Sequence, residues 1–118
     1  MKIIYPLFFI LFLFSISCTN NKTIPSDILP EDSLVKIIVD MHLGDAILLQ
    51  PKVQSLPYVI NKQEFYFFIL KKHSLTKETF EKNMNYYVDH PEEYDLIYEK
   101  VIEELSTIQG NLLKPDTL

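Results

Sequence analysis

Hydrophobic and polar positions follow a helical period over most of the chain beyond residue 30. At 100° per residue, positions 34–49 form one broad apolar arc, with Lys36 and Asp40 on the opposite side. The arc contains Leu34, Ile38, Met41, Leu48 and Leu49. Pro30 suits the first position of a helix, whereas Pro51 cannot continue one. The pattern therefore predicts a first helix that begins at Pro30 and ends before Pro51.

A second helix is predicted after the proline-bounded loop 52–56. Asn61, followed three residues later by Glu64, is a capping-box pattern for a helix N-terminus. The run 65–70 is apolar all round, and its aromatic content would also suit a strand. The cap before this run and the two lysines after it favour a helix, because cations stabilise helix C-termini.

A third helix is predicted to begin at Thr76 and to end near Asp89. Leu75 and Phe80 are spaced as a hydrophobic staple around its N-terminus. The positions expected to be buried are Phe80, Met84, Tyr87 and Val88.

A fourth helix is predicted from His90-Pro91 to Gly110, since glycine commonly follows the last turn of a helix. Its apolar stripe consists of Tyr94, Ile97, Tyr98, Val101, Leu105 and Ile108. Four helices joined by short turns predict an all-α fold, a small antiparallel bundle of about four helices. The helical domain is expected over residues 28–110, with a flexible tail over 111–118.

The N-terminus has the pattern of a lipoprotein signal peptide over residues 1–17. Lys2 precedes an apolar run, and small residues lead up to Cys18, the single cysteine of the chain. The run is roughly 12 to 14 residues long, and crossing a bilayer as a helix takes about 20. We expect the segment to be cleaved and Cys18 to carry a lipid. An ordinary secretory signal that leaves a free cysteine is the alternative.

Residues 18–27 are expected to form the lipidated cysteine and a flexible tether, because the segment is polar and lacks an apolar period. No acidic residue follows Cys18 directly, which favours an outer-membrane position facing the periplasm over the cell surface. The chain has a net charge of −5 and contains no arginine. Nucleic acid is therefore not an expected partner.

The first helix carries an unusual polar pair, His42 and Asp45, within its apolar arc. One interpretation is a buried polar site in which Asp45 orients the imidazole as a base or metal ligand. The other is a satisfied polar bridge between helices. Zinc needs three or four convergent ligands, and the remaining histidines, His73 and His90, show no ligand spacing. No metal, cofactor or catalytic residue is predicted, and enzymatic activity is not expected.

Aromatic side chains exceed what the predicted buried stripes can hold. If the second helix turns one side to the bundle, some of Tyr66, Phe67 and Phe68 must remain outside, and Tyr86 lies off the stripe of the third helix. Exposed aromatic surface commonly marks a docking site. The alternative is a small bundle that encloses its second helix completely.

The spacing of helix caps and aromatic residues resembles a known family. The positions that carry the likeness are Ile24-Pro25, Ile28-Leu29-Pro30, Asp40-Met41-His42-Leu43, Phe80, Tyr87, His90-Pro91-Glu92, Ile97-Tyr98, Val101 and Leu105. They are similar to the lipoprotein family catalogued as domain of unknown function 4296. The resemblance implies a small helical lipoprotein of the Gram-negative envelope without an established activity.

These observations lead to two hypotheses about function. The first is a non-enzymatic accessory lipoprotein, held at the membrane by its lipid anchor, that binds another envelope protein. The second is a metal- or small-ligand-binding module centred on His42 and Asp45.

Overall fold

The computed structural model describes residues 23–58 and 61–114, and all regular secondary structure within these ranges is helical. The elements are α1 (Glu31–Leu48), α2 (Pro51–Gln54), α3 (Lys62–Lys72), α4 (Lys77–Val88) and α5 (Pro91–Leu112). The predicted all-α bundle is confirmed. The short helix α2 lies where a loop was predicted, and it begins at a proline, which suits the first helical position.

Side-chain caps begin two of the helices. Asn61 Oδ1 accepts a hydrogen bond from the Gln63 backbone N–H at 2.9 Å, and Thr76 Oγ1 accepts one from the Thr79 N–H at 3.2 Å. Each cap satisfies an N–H group that has no partner within the helix. The predicted starts of these two helices are confirmed.

In the turn between α3 and α4, one residue adopts the left-handed backbone conformation and ends α3. Ser74 has a φ of 58°, and the Leu75 N–H returns to the Leu70 carbonyl at 2.9 Å. This is the Schellman arrangement, with serine at the position where glycine is usual. It places Leu75 against the core at the start of α4.

Three local predictions are wrong at helix ends. α5 continues through Gly110, which does not adopt a positive φ, and ends two residues later. Leu49 and Val88, both predicted to be buried, are 72% and 56% exposed. Leu49 follows the last residue of α1, and Val88 is the last residue of α4. Packing covers the middle of these helices better than their ends.

The core consists of two clusters that share α1. The large cluster contains Ile28, Leu34, Val35, Ile38, Val39, Tyr87, Ile97 and Val101. The small cluster contains Ile37, Met41, Ile69 and Leu70. The α1 residues of the large cluster, all in the first half of the helix, therefore pack with the end of α4 and the middle of α5, whereas Ile37 and Met41 pack with α3. Phe80 of α4 packs against both clusters.

Ion pairs show that α1 and α3 are antiparallel. Lys62 at the start of α3 pairs with Asp45, whereas Lys72 at its end pairs with Asp40. Gly44 lies at their closest approach, where a Cβ atom would overlap Phe65 Cε1 and lie 2.8 Å from Phe65 Cδ1. The missing side chain lets the Phe65 ring lie directly on the α1 backbone.

The end of the predicted tether belongs to the folded domain. Ile24 packs against the large cluster, the Ile28 N–H donates to the Pro25 carbonyl at 3.0 Å, and Lys82 pairs with Asp27 at 2.5 Å. The predicted signal peptide 1–17, Cys18 and the tether up to residue 22 lie outside the described residues. Within the described ranges, no helix has the length and apolar character needed to cross a membrane.

Candidate functional site

An apolar groove lies between α1, α3 and α4. Its volume is about 410 Å³. The apolar lining comes from Met41, Tyr66, Phe67, Leu70 and Phe80, and the polar lining from Gln63, Lys77 and Glu81. A concave apolar surface with a few polar groups is the usual form of a binding site.

Two aromatic rings of α3 are exposed beside this groove. Phe67 is 65% exposed and lines the groove, and Phe68 is 63% exposed and does not line it. The opposite side of α3 buries Ile69 and Leu70 against α1, so a helix with apolar residues all round must leave some outside. The predicted exposure of the two phenylalanines is present, and their role as an interface remains a prediction.

Tyr66 is not an exposed side chain, because its hydroxyl bonds to a polar side chain of α1. It is partly buried, and its hydroxyl donates to Asp45 Oδ2 at 2.8 Å. Lys62 Nζ lies 3.0 Å from Asp45 Oδ1 and 5.0 Å from the centre of the Tyr66 ring. Asp45 Oδ1 is closed to solvent and accepts no hydrogen bond of good geometry, and the Lys62 ammonium is its ion-pair partner.

The pKa values of this pair reflect competing effects. Burial acts to raise the pKa of Asp45, but the hydrogen bonds from Tyr66 and Lys62 outweigh it and hold the pKa below its ordinary value. Burial raises the pKa of Tyr66, and the bond to the Asp45 carboxylate adds to this increase, while Lys62 opposes it. Asp45 is therefore a charged acceptor that fixes α3 on α1.

The prediction that His42 is buried beside Asp45 is wrong, because His42 is exposed. The second half of α1 is covered by α3, which contacts the side that carries Met41 and Gly44 and leaves position 42 outside. Asp45 is partly buried and bonds to α3 instead of to the imidazole. The predicted buried pair is therefore not formed.

The other two histidines have structural partners. His73 Nε2 lies 2.7 Å from Asp40 Oδ2, which Lys72 Nζ also contacts at 2.8 Å. His90 Nδ1 lies 2.6 Å from the Tyr86 carbonyl. Among residues 23–58 and 61–114, no three histidine, cysteine or acidic side chains come together in a group that could hold a metal ion.

Tyr86 does not share a surface with the α3 aromatics. Its ring packs against the large cluster, edge-on to Tyr87 at 5.2 Å, and stacks on His90 at 4.2 Å. It is partly buried and does not line the groove. The predicted set is therefore not one surface, because Tyr66, Phe67 and Phe68 lie on α3 and Tyr86 packs against the large cluster.

A buried polar clamp, which was not predicted from the sequence, holds the chain just before α1. The Leu29 N–H donates to Asn83 Oδ1 at 2.5 Å, and the Tyr87 hydroxyl donates to the Leu29 carbonyl at 2.6 Å. Asn83 Nδ2 also donates to the Thr79 carbonyl at 2.7 Å. Both side chains are fully buried, and burial raises the pKa of Tyr87 to about 12. The sequence feature that could have indicated this clamp is an asparagine four residues before a tyrosine on the buried stripe of α4.

No curated protein and no solved structure matches this chain. One family model does match, over residues 25–111, which includes the clamp, the groove and the five helices of the described ranges up to the last turn of α5. The chain therefore belongs to the family described as domain of unknown function DUF4296.

Proposed function

We propose that this chain is a non-enzymatic envelope lipoprotein that acts as a membrane-tethered interaction module and binds another envelope protein in the groove beside α3. In this proposal residues 1–17 are the export signal, and Cys18 carries the lipid. The anchor holds the domain at the outer membrane on the periplasmic side.

The observation that supports docking is the position of Phe67. Its ring is 65% exposed, although the side chains beside it in the groove, Met41 and Leu70, are buried. Large aromatic side chains next to apolar pockets are enriched among residues that dominate binding energy. A partner that inserts an apolar side chain into the groove would cover the Phe67 ring.

The small number of residues between the proposed anchor and the folded domain supports a partner in the envelope. Ile24 and Asp27 are held by the folded domain, so only residues 18–23 separate the proposed anchor from the first held residue. Six residue steps reach at most about 21 Å when fully extended. A groove kept this close to a membrane would meet membrane-associated proteins first.

We do not propose the alternative role, a metal- or small-ligand-binding module centred on His42 and Asp45. Asp45 is engaged by Tyr66 and Lys62 of α3, and His42 is exposed to solvent.

The test is affinity purification of the full-length protein from detergent-solubilised membranes. Phe67→Asp should remove the co-purifying envelope protein, because it places a charge in the wall of the apolar groove. Phe68→Asp changes the next residue, which does not line the groove, and Ile102→Asp changes a residue of α5 with 62% exposure. Both should retain the partner. An unchanged set of proteins with Phe67→Asp, at an unchanged melting temperature, would contradict groove docking.

A further inference from the structure

The outer face of α3 carries a short stripe of four exposed residues. Glu64, Phe67, Phe68 and Lys71 follow the spacing i, i+3, i+4, i+7, which places them on one side of a helix. Phe67 and Phe68 form its apolar centre. Glu64 is the acidic residue at one end, and Lys71 is the basic residue at the other. We refer to these four residues as the α3 stripe.

The two charged residues of the stripe have no partner among the described residues. The other two lysines of α3, Lys62 and Lys72, pair with Asp45 and Asp40 of α1. Glu64 and Lys71 are exposed and lie seven residues apart, about 10.5 Å along the helix axis. The stripe therefore presents an acidic end and a basic end to a partner outside this chain.

The order of the four residues is self-complementary. Glu64 and Lys71 are equally distant along the chain from the midpoint between Phe67 and Phe68. We propose that two copies of this chain pair through antiparallel α3 helices, about a two-fold axis that passes between these phenylalanines. Each Phe67 then lies against Phe68 of the second copy, and each Glu64 faces Lys71 of the second copy. The same surface serves both copies, as a two-fold interface requires.

Charge pairing selects the antiparallel arrangement. A parallel pair in the same register would place Glu64 opposite Glu64 and Lys71 opposite Lys71, and like charges that face each other are destabilising. The antiparallel pair forms two symmetry-related ion pairs around the covered aromatic rings.

The interface is small, and this determines how it would form. A standard protein–protein interface buries about 1,600 Å² of accessible surface, and one face of an 11-residue helix buries less. The pair is therefore weak in dilute solution. Confinement of both copies to one membrane raises their effective concentration. This strengthening, though not the pairing itself, rests on the proposed lipid anchor.

The test uses two full-length copies with different tags, expressed together, cross-linked in the intact membrane and then, after solubilisation, captured through one tag. Wild-type copies should co-purify. Glu64→Lys in both copies, or Lys71→Glu in both, should reduce capture of the second tag about tenfold, because each places like charges in opposition. A Glu64→Lys copy mixed with a Lys71→Glu copy should restore capture, because all facing charges are then opposite again.

Each other outcome overturns the proposal. Absence of co-purification between wild-type copies excludes the pair, and equal capture with all the charge variants excludes this geometry. Phe68→Asp should abolish capture of the second copy while it leaves the groove partner bound, so the two proposals fail separately. If Glu64→Lys releases another envelope protein and wild-type copies never co-purify, the stripe binds that protein and not a second copy.

Discussion

The two halves of α1 are packed to very different degrees. The first half contributes to the large cluster, in which Leu34, Tyr87 and Ile97 have no exposed surface and the chain before the helix is fixed by Asn83. The second half contributes Met41 to the small cluster, which also contains two buried residues of the 11-residue α3 and is bordered by one aromatic ring of α4. Charged pairs at the surface flank this second contact, and the outer aromatic rings of α3 remain exposed.

This difference separates the part of the bundle that stabilises the fold from the part that is available to bind a partner. A helix covered from several directions contributes most of its apolar surface to the free energy of folding. α3 is covered from one side, so it contributes less to folding and offers more surface to a partner. The two proposed interactions both use α3, which is the part of the bundle with the most exposed aromatic area.

Matched isoleucine truncations test this comparison most directly. Ile97→Ala in the large cluster should lower the free energy of unfolding by about 4 kcal/mol, near the upper part of the range for such changes. Ile69→Ala in the small cluster should cost about 2 kcal/mol, because a site near the surface can collapse onto the space left. Both residues are at least 97% buried, at 0% and 3% exposure, so the contrast does not arise from exposure alone.

Urea unfolding followed by circular dichroism measures both values. The slope against urea should stay the same in the two variants, which shows that the surface exposed on unfolding has not changed. Equal losses for Ile97→Ala and Ile69→Ala would show that the two halves of α1 are equally constrained.

The polar clamp is a second difference between the two clusters. Among the described residues, the small cluster contains no fully buried polar side chain that bonds to the backbone. Asn83→Ala leaves the Leu29 N–H buried without an acceptor, and we expect a loss of about 2 kcal/mol in the free energy of unfolding. Hydrogen exchange at the Leu29 amide should accelerate more than exchange in α3. The matched control is Asn85→Ala, since Asn85 is exposed on the same helix. Slow exchange at Leu29 in the Asn83→Ala protein would contradict a role for the clamp.

The helices could be predicted because their signals are local. Asn61 and Thr76 cap the helices that follow them, and the apolar stripe of α5 predicts the burial of Ile97 and Val101. Predictions made from periodicity alone failed where a helix extends beyond its neighbours. Leu49 and Val88 fit the stripes of their own helices, but no other element covers them.

The site was harder to predict because it depends on which helices meet. Periodicity placed His42 and Asp45 on one arc, yet α3 covers only part of that arc and leaves His42 in solvent. The close approach at Gly44 depends on the position of Phe65, 21 residues later in the chain. The Leu29 N–H that donates to Asn83 lies just before α1, 54 residues earlier in the chain, so no local pattern indicates this contact.

The smallest expected effect concerns the pH dependence of the contact between α1 and α3. Burial acts to raise the pKa of Asp40, but the hydrogen bonds from Lys72 and His73 outweigh it, so the pKa lies below its ordinary value of 3.8. A lowered pKa means that this carboxylate stabilises the fold above pH 3.8 and loses that contribution as the pH falls through the lowered value. Asp40→Asn should therefore lower the free energy of unfolding by roughly 1 kcal/mol at pH 7.

The difference between wild type and Asp40→Asn should shrink as the pH is lowered below 3.8, which thermal or urea unfolding at a series of pH values would measure. Asp95→Asn removes an exposed carboxylate of α5 and controls for the change in net charge. A difference of the same size at pH 7 and pH 3 would mean that the Asp40 charge does not hold α3, and that apolar packing against Ile37 and Met41 alone keeps this half of α1 covered.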